Sequence, residues 1–338
     1  MKPTLSVRHA SDIYIGDATA LLPVLLPAGR VVVITDAAVD RCHAALTAPY
    51  EKILIGRGEA CKTLQTVEQI HRRLIELGAD RHTFVLAVGG GIVTDTAGFA
   101  AATYMRGVPF GFVSTTLLGQ VDASVGGKNG VNVGGYKNMA GSFTQPRFVI
   151  CDPSLLATLP EREFRAGLAE AVKAAVIGDA PLFGRLEGAT FETLRSDAAL
   201  LGAVVEGAIR VKAAIVERDE RETGDRRLLN LGHTLAHAIE KCSDRMNHGE
   251  AVAVGLHLIA GAAVRRGLLD AAEGVRIGML LGRLGFDLRP PVSVERLLAE
   301  VGKDKKSEGS QLHVVVPRAI GRCEVCTVAK QELGCWLL

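Results

Sequence analysis

The segment NLGHTLAHAIE sets His233 and His237 four residues apart, one turn of a helix, so that both imidazoles share a face. His248 follows at the start of another helical pattern. Imidazoles so placed can converge on one ion, and a carboxylate would complete a three-ligand site. Glu170, in GLAEAVK, is the candidate because it stands on an otherwise small and apolar helix face. Three protein ligands leave a position for water or a substrate oxygen, as catalytic zinc requires. Spacing does not decide which histidine holds an ion and which moves protons, and hydrogen-bonded packing residues are the alternative reading of the pair. His257 reads as packing, and His9, His43, His71, His82 and His313 have no converging partners.

Three glycines, Gly89, Gly90 and Gly91, follow a buried apolar run and precede a small-residue helix, where backbone amides can approach a pyrophosphate. The spacing is not GxGxxG, so a tight turn with close helix packing is the alternative. Asp36, at the end of an apolar strand, can accept hydrogen bonds from ribose hydroxyls. Asp95 can cap the helix after the glycines or bind a hydroxyl, and Glu59 and Lys62 lie in a loop ahead of a helix, within reach of a cofactor.

Cationic groups cluster around these segments. Lys128, Lys137 and Asn138 lie in a glycine-rich connection, Lys173 one turn after Glu170, Lys212 and Arg226 ahead of His233, Arg106 after the small-residue helix, and Lys305 and Lys306 in a late basic loop. Each alone reads as a solvated surface group; together they can surround a phosphate or carboxylate.

The elements that must hold these residues alternate at first. Residues 31–36 (VVVITD) read as the first strand of a parallel sheet covered on both faces. Ile53–Ile55, a helix over 66–77, Phe84–Val88, the glycines with their helix, and Phe110–Ser114 continue a βαβ order. Residues 116–146 lose periodicity and read as an ordered, ligand-facing connection before a strand at Phe148–Cys151. From Pro160 the pattern is mainly helical, with stripes at 163–176, 198–217, 228–241 and 249–266, and a late strand at 312–316. The expectation is an α/β Rossmann-like amino-terminal domain over 1–157 and a mainly α-helical carboxyl-terminal domain over 158–338.

Composition narrows the classes. With 338 residues and 48% apolar content, two domains can each bury a core. Lys and Arg total 39 against 37 Asp and Glu, a formal charge of +2, which gives no global case for nucleic-acid binding. No apolar run approaches the roughly 20 residues of a membrane span, and Asp12 and Asp17 interrupt what a signal peptide would need. A soluble cytoplasmic protein is expected. Seven scattered cysteines argue against an oxidised scaffold, and the lone CxxC of Cys323 and Cys326 lacks the second pair of a zinc knuckle.

Taken together, GEACKT (58–63), GGGIVTDTAGFAAATYMRG (89–107), TTLLGQVDASVGGKNGVN (115–132), KNMAGSF (137–143), LPEREFRAGLAEAVK (159–173), RRLLNLGHTLAHAIE (226–240), HGEAVAVG (248–255) and DKK (304–306) resemble the 3-dehydroquinate synthase family of sugar-phosphate cyclases. The resemblance implies a dehydroquinate-synthase-like fold with an active site in the cleft between an NAD domain and a helical metal- and substrate-binding domain. It implies Glu170, His233 and His248 as ligands of one divalent metal, Zn2+ or Co2+, and His237 as a substrate-contacting proton carrier. It further implies Asp122, Lys128, Asn138, Lys173, Lys212, Arg226, Asn230 and Lys305 in the substrate pocket, and Arg106 reaching a phosphate across a homodimer. Asp36, Glu59, Lys62, Gly89, Gly90, Gly91, Asp95, Thr115, Thr116, Asp122, Lys128 and Lys137 would line the NAD site.

The implied reaction converts 3-deoxy-D-arabino-heptulosonate 7-phosphate to 3-dehydroquinate and phosphate through transient oxidation by NAD, β-elimination, re-reduction and intramolecular aldol closure, with no net redox change. Two departures stand out: NVGGYKNMAG replaces the more familiar histidine-proline-leucine-glycine turn, and Ser114 takes a common proline position. Relatives cyclise sedoheptulose 7-phosphate or glucose 6-phosphate, and metal-dependent polyol or glycerol-phosphate dehydrogenases are a related two-domain class.

Overall fold

The computed structural model describes residues 2–8, 10–302 and 311–337; Lys305, Lys306 and His9 lie outside these. The chain forms two compact units, Met1–Pro160 and Glu161–Leu338. No helix among the described residues is long and apolar enough to cross a membrane.

In the first unit the elements run β1 (Leu5–Val7), β2 (Ser11–Ile15), α1 (Ala18–Leu25), β3 (Val31–Asp36), α2 (Ala37–Cys42), α3 (Ala44–Thr47), β4 (Glu51–Ile55), α4 (Leu64–Glu76), β5 (Phe84–Gly89), α5 (Gly91–Thr103), β6 (Phe110–Ser114), β7 (Lys128–Val133), β8 (Tyr136–Phe143) and β9 (Phe148–Cys151). Seven strands form one sheet in the order β1-β2-β9-β6-β5-β3-β4, parallel except for the β1–β2 pair. Val31 and Val33 join Phe84, Leu86 and Val88 and the α1 residues Ala18, Leu21 and Leu22 in one apolar cluster, while Val32 and Ile34 point the other way and are equally buried. That double burial is why these strands are nearly unbroken apolar runs.

Two expectations need correction here. Val31–Asp36 is the third strand, not the first of the parallel sheet, because Ser11–Ile15 already pairs in parallel with Phe148–Cys151. SDIYI mixes polar and apolar residues and is held by its neighbours, so no buried run announces it. Residues 116–146 are also more regular than their composition implies. They hold a π-helical turn, Gly119–Ala123, and the antiparallel β7–β8 hairpin. Val133 pairs with Tyr136 across Gly134 and Gly135, whose φ values of 59° and 78° give a tight turn in which both central residues are left-handed. The departure NVGGYKNMAG is therefore a glycine-specified hairpin tip.

The second unit runs α6 (Glu161–Gly178), α7 (Ala180–Glu187), α8 (Phe191–Ser196), α9 (Ala198–Arg218), α10 (His233–Cys242), α11 (His248–Arg265), α12 (Ala271–Arg283), α13 (Val294–Gly302), β10 (Gln311–Ala319), β11 (Arg322–Ala329) and α14 (Leu333–Leu337). The late strand is real, and it pairs with a second that carries Cys323 and Cys326. The helix expected over 228–241 is broken: a 3-10 turn, Asp225–Asn230, precedes Gly232 in the left-handed region, φ 77°, and α10 starts at His233. Helix α6 packs against α9 and α11, and α11 packs against α10.

The approach of α11 depends on missing side chains. A Cβ on Gly249 would lie 2.3 Å from Ala166 Cα, and one on Gly255 would lie 2.2 Å from the Gly232 carbonyl oxygen. Backbone therefore meets backbone where α11 crosses α6 and the turn before α10.

Candidate functional site

Close crossing of these helices aims three side chains at one point. Glu170 comes from the middle of α6, His233 from the first residue of α10 and His248 from the first residue of α11. One donor atom from each lies within 4.8 Å of the others. Glu170 Oε1 is 3.2 Å from His248 Nε2 and 3.5 Å from His233 Nε2. The edge of a tetrahedron built on bonds near 2.1 Å is about 3.4 Å, so the carboxylate already stands at ligand spacing from both nitrogens. The start of α11 is clamped: Asn247 and Glu250 exchange capping hydrogen bonds, and Arg162 donates to both oxygens of Glu250 at 2.8 and 2.7 Å.

Each imidazole turns Nδ1 away from this point. His233 Nδ1 is 3.2 Å from the Leu231 carbonyl and His248 Nδ1 is 3.3 Å from Glu240 Oε1, so Nδ1–H donates in both and Nε2 is the nitrogen left facing Glu170. The other Glu170 oxygen, Oε2, meets Lys173 Nζ at 2.5 Å, with both side chains buried. Burial opposes the charge on Glu170, but Lys173, His233 and His248 together hold its carboxyl well below the usual range. Burial pushes His233 down to about 3, assisted by the Lys173 charge. His248 is pushed up to about 9, its hydrogen bonds to Glu170 and Glu240 overriding burial. One carboxylate oxygen and two imidazole nitrogens suit a divalent cation of borderline softness, which would displace the proton from His248 Nε2 on binding, and the residues present fit such an ion.

His237 lies beside this set rather than in it: its ring centroid is 5.5 Å from that of His233, nearly perpendicular. The face shared by the two histidines is real, and the approach of α6 and α11 gives the point of convergence to His233. Arg226 is 1% exposed. Its loop is built on Asp219, whose carboxylate accepts from the amides of Thr223, Gly224 and Arg226 at 3.1, 2.7 and 3.0 Å. The Arg226 side chain donates to the Glu220 carbonyl, and Asn230 Nδ2 donates to Glu222 Oε1 at 2.5 Å. Buried Lys212 sits on α9, which packs on the 3-10 turn that carries Arg226 and Asn230.

Asp219, Glu222 and Glu240 are absent from the sequence-derived set. Glu240 was legible, since His233, His237 and Glu240 follow the i, i+4, i+7 spacing of one helical face. Asp219 and Glu222 precede Gly224 in an irregular loop, where no periodicity marks them.

In the first unit, β3 is followed by β4 on one side of it while β5 lies on the other, so the connections after β3 and β5 diverge. Such a switch point opens a crevice at the carboxyl ends of the strands, where Asp36 and Gly89–Gly91 sit. Gly90 caps α5 without a side-chain bond, and a Cβ there would lie 2.7 Å from Thr116 Cγ2. That bare helix start, cradled by Thr116, fits a pyrophosphate. Lys62 and Asp95 meet at 2.6 Å as a largely buried ion pair. Glu59 Oε1 accepts from Asn132 Nδ2 at 2.7 Å, and Asn132 Oδ1 accepts from the Asn138 amide at 2.9 Å. Thr115 donates its amide to the Gly89 carbonyl at 3.0 Å. Asp36 caps α2 through Ala38 and Val39. Asp122 lies in the π-helical turn, Lys128 and Lys137 are exposed on the hairpin, and exposed Arg106 has φ 70°.

Family models and curated relatives agree on 3-dehydroquinate synthases. Residues 52–166 match the 3-dehydroquinate synthase N-terminal family and residues 167–307 the C-terminal family. The chain is 46% identical to the 3-dehydroquinate synthase of Halorhodospira halophila, covering 93% of this chain and 92% of that one. It is 42% identical to the 3-dehydroquinate synthase of Pelobacter propionicus, over 90% and 88%. Among solved structures, the 2-epi-5-epi-valiolone synthase ValA of Streptomyces hygroscopicus subsp. jinggangensis, with NAD+ and Zn2+ bound, superposes with a TM-score of 0.89 at 29% identity, covering 100% of this chain and 98% of that one. A 2-deoxy-scyllo-inosose synthase complexed with carbaglucose-6-phosphate, NAD+ and Co2+ gives 0.86 at 26%, covering 95% of each.

Proposed function

Because this chain belongs to the 3-dehydroquinate synthase family, we propose that it converts 3-deoxy-D-arabino-heptulosonate 7-phosphate to 3-dehydroquinate and phosphate. It is an NAD- and metal-dependent lyase, with Zn2+ or Co2+ as the ion. The observation that carries this reading is the convergence of Glu170, His233 and His248, supported by a relative 46% identical over nearly the whole chain. When bound, the ion supplies a Lewis acid and NAD a reversible hydride acceptor, so an alcohol can become a ketone, acidify its neighbour and be restored without net redox change.

The remaining work belongs to side chains. Lys173 holds the second oxygen of Glu170 and leaves the first for the ion. Arg226, fixed by its Asp219-built loop, offers a fork of donors to the substrate carboxylate. His237 Nε2 or Nδ1 accepts and returns the proton of a substrate hydroxyl, and the substrate phosphate itself can remove the elimination proton. Asp122, Lys128, Asn138, Lys212, Asn230 and Lys305 orient hydroxyls and balance developing negative charge. Asp36, Glu59, Lys62, Asp95, Thr115, Thr116 and Lys137, with the glycines, hold NAD. The working form in this reading is a cytoplasmic homodimer in which Arg106 reaches a phosphate in the partner's site. A cyclase acting on sedoheptulose 7-phosphate or glucose 6-phosphate is the second reading, favoured by the glycine-tipped hairpin that departs from the family turn.

Product identification with all three sugar phosphates, at NAD far below substrate, tests the assignment. Expected are 3-dehydroquinate from the heptulosonate alone, many phosphates released per NAD and no accumulating NADH. Cyclisation of another sugar would favour the second reading, stoichiometric NADH a dehydrogenase, and binding without phosphate release a noncatalytic relative. Two variants sharpen the roles. Arg226→Ala should lower kcat/KM about 10- to 100-fold, the worth of a hydrogen bond to a charged group, and near-normal efficiency rejects the contact. His237→Ala should keep its metal while losing about 10²-fold or more in kcat; metal loss matching that of a His233 variant would count against separate roles.

A further inference from the structure

The two imidazoles of the metal centre are aimed by different devices. His233 is held by the carbonyl of Leu231, two residues back in its own turn. His248 has no such local partner: its Nδ1 faces Glu240 Oε1 at 3.3 Å, from the far end of α10. Its side chain is also the most exposed of the three, 33% against 12% for His233 and 0% for Glu170. The Asn247–Glu250 capping box and Arg162 fix the backbone at His248, and these hydrogen bonds do not involve the ring. Rotation about the Cβ–Cγ bond would carry Nε2 away from Glu170.

We propose that Glu240 is a positioning residue of the metal centre: its carboxylate accepts the Nδ1–H of His248, locks the ring and directs Nε2 at the ion. The side chain of Glu240 is 9% exposed, and a carboxylate so far from water is costly unless its hydrogen bonds repay the desolvation. Placed behind a ligating imidazole, it also raises the basicity of the ring, strengthening the bond to a cation. Helix α10 thereby serves the site twice, donating His233 at its first turn and supporting His248 two turns later. The inference rests on the ligand set proposed above, and its test separates the two.

The experiment is zinc competition with a chromophoric chelator on the full chain, alongside visible spectra of the cobalt-loaded protein, for wild type, Glu240→Ala, Glu240→Gln and His248→Ala. Loss of an outer carboxylate typically weakens metal binding about 10- to 100-fold, so Glu240→Ala should fall in that range. Glutamine keeps an acceptor oxygen but not the charge; a neutral bond is worth roughly half a charged one, which places Glu240→Gln about 3- to 10-fold below wild type. The cobalt bands should shift in Glu240→Ala and return most of the way in Glu240→Gln.

Wild-type zinc affinity in Glu240→Ala, with metal lost from His248→Ala, overturns the role of Glu240 and leaves the ligand set standing. Wild-type affinity in His248→Ala overturns the ligand set itself. A lower melting temperature of metal-free Glu240→Ala with unmoved zinc affinity makes the residue only a tie between α10 and α11, and rejects the proposal. If Glu240→Ala does not fold, Glu240→Gln decides: the 3- to 10-fold weakening supports the inference, and unchanged affinity with an unchanged cobalt spectrum overturns it.

Discussion

Replacing His233 with alanine is expected to yield a folded protein that keeps under about a tenth of its metal and turns over at least about 10³-fold more slowly. The imidazole stands at the first residue of α10, where an alanine is a good helix former. What is lost is one of three donors, leaving Glu170 and His248 to hold a cation that normally needs three protein ligands. Lewis-acid stabilisation of several kcal/mol disappears with the ion; about 4 kcal/mol corresponds to 10³ in rate. Metal content by elemental analysis after dialysis, read beside kcat, checks this, and unchanged stoichiometry would remove His233 from the ligand set. Chelation of the wild type should produce the same loss, reversed by Zn2+ or Co2+.

The second large effect concerns stability. Lys173→Met keeps the length and apolar stem of the side chain but deletes the ammonium that meets Glu170 Oε2 at 2.5 Å. Glu170 is 1% exposed and Lys173 2%, so the carboxylate loses its nearest charge where water cannot replace it. Breaking a buried pair from one side costs about 3–5 kcal/mol. With a denaturation slope of about 3 kcal/mol per molar, the urea midpoint of the metal-free protein should fall by about 1 M or more. Saturating zinc should recover part of the loss, because a cation bound to the native state both stabilises it by mass action and faces the orphaned charge. An unchanged midpoint would mean that this pair is not what keeps Glu170 ionised inside the helix bundle.

The architecture was legible where burial is symmetric. Val31–Asp36, Phe84–Gly89 and Phe110–Ser114 are covered on both faces, and a strand in that position must be an unbroken apolar run. The hairpins were not: Ser11–Ile15 is defined by a partner distant in sequence, and the β7–β8 pair folds about Gly134 and Gly135 within a stretch whose glycines and asparagines leave no apolar alternation. Likewise, Leu228 and Leu229 continue the apolar period of α10, but left-handed Gly232 ends it so that its carbonyl can meet α11.

The candidate metal ligands show the same division. Residue type and spacing nominate Glu170, His233, His237 and His248, yet His233 and His237 share a helical face and no periodicity separates them. The separation is tertiary: Gly249 against Ala166 and Gly255 against Gly232 set where α11 lies, and His248 then meets Glu170 at the first turn of α10 rather than the second. Motif resemblance reached the same three residues by another route. Glu240 was within reach of spacing arguments, whereas Asp219 acts by gathering backbone amides of an irregular loop, a role that only the folded loop reveals.

Everything in the proposed chemistry depends on one ion held by Glu170, His233 and His248. Crystals grown with Zn2+ and NAD, measured on both sides of the zinc absorption edge, test this most directly. The account predicts a single strong anomalous peak per chain within about 2.0–2.2 Å of Glu170 Oε1 and the Nε2 atoms of His233 and His248. A peak bound instead through His237, or no peak at these residues in a crystal of active enzyme, would contradict it.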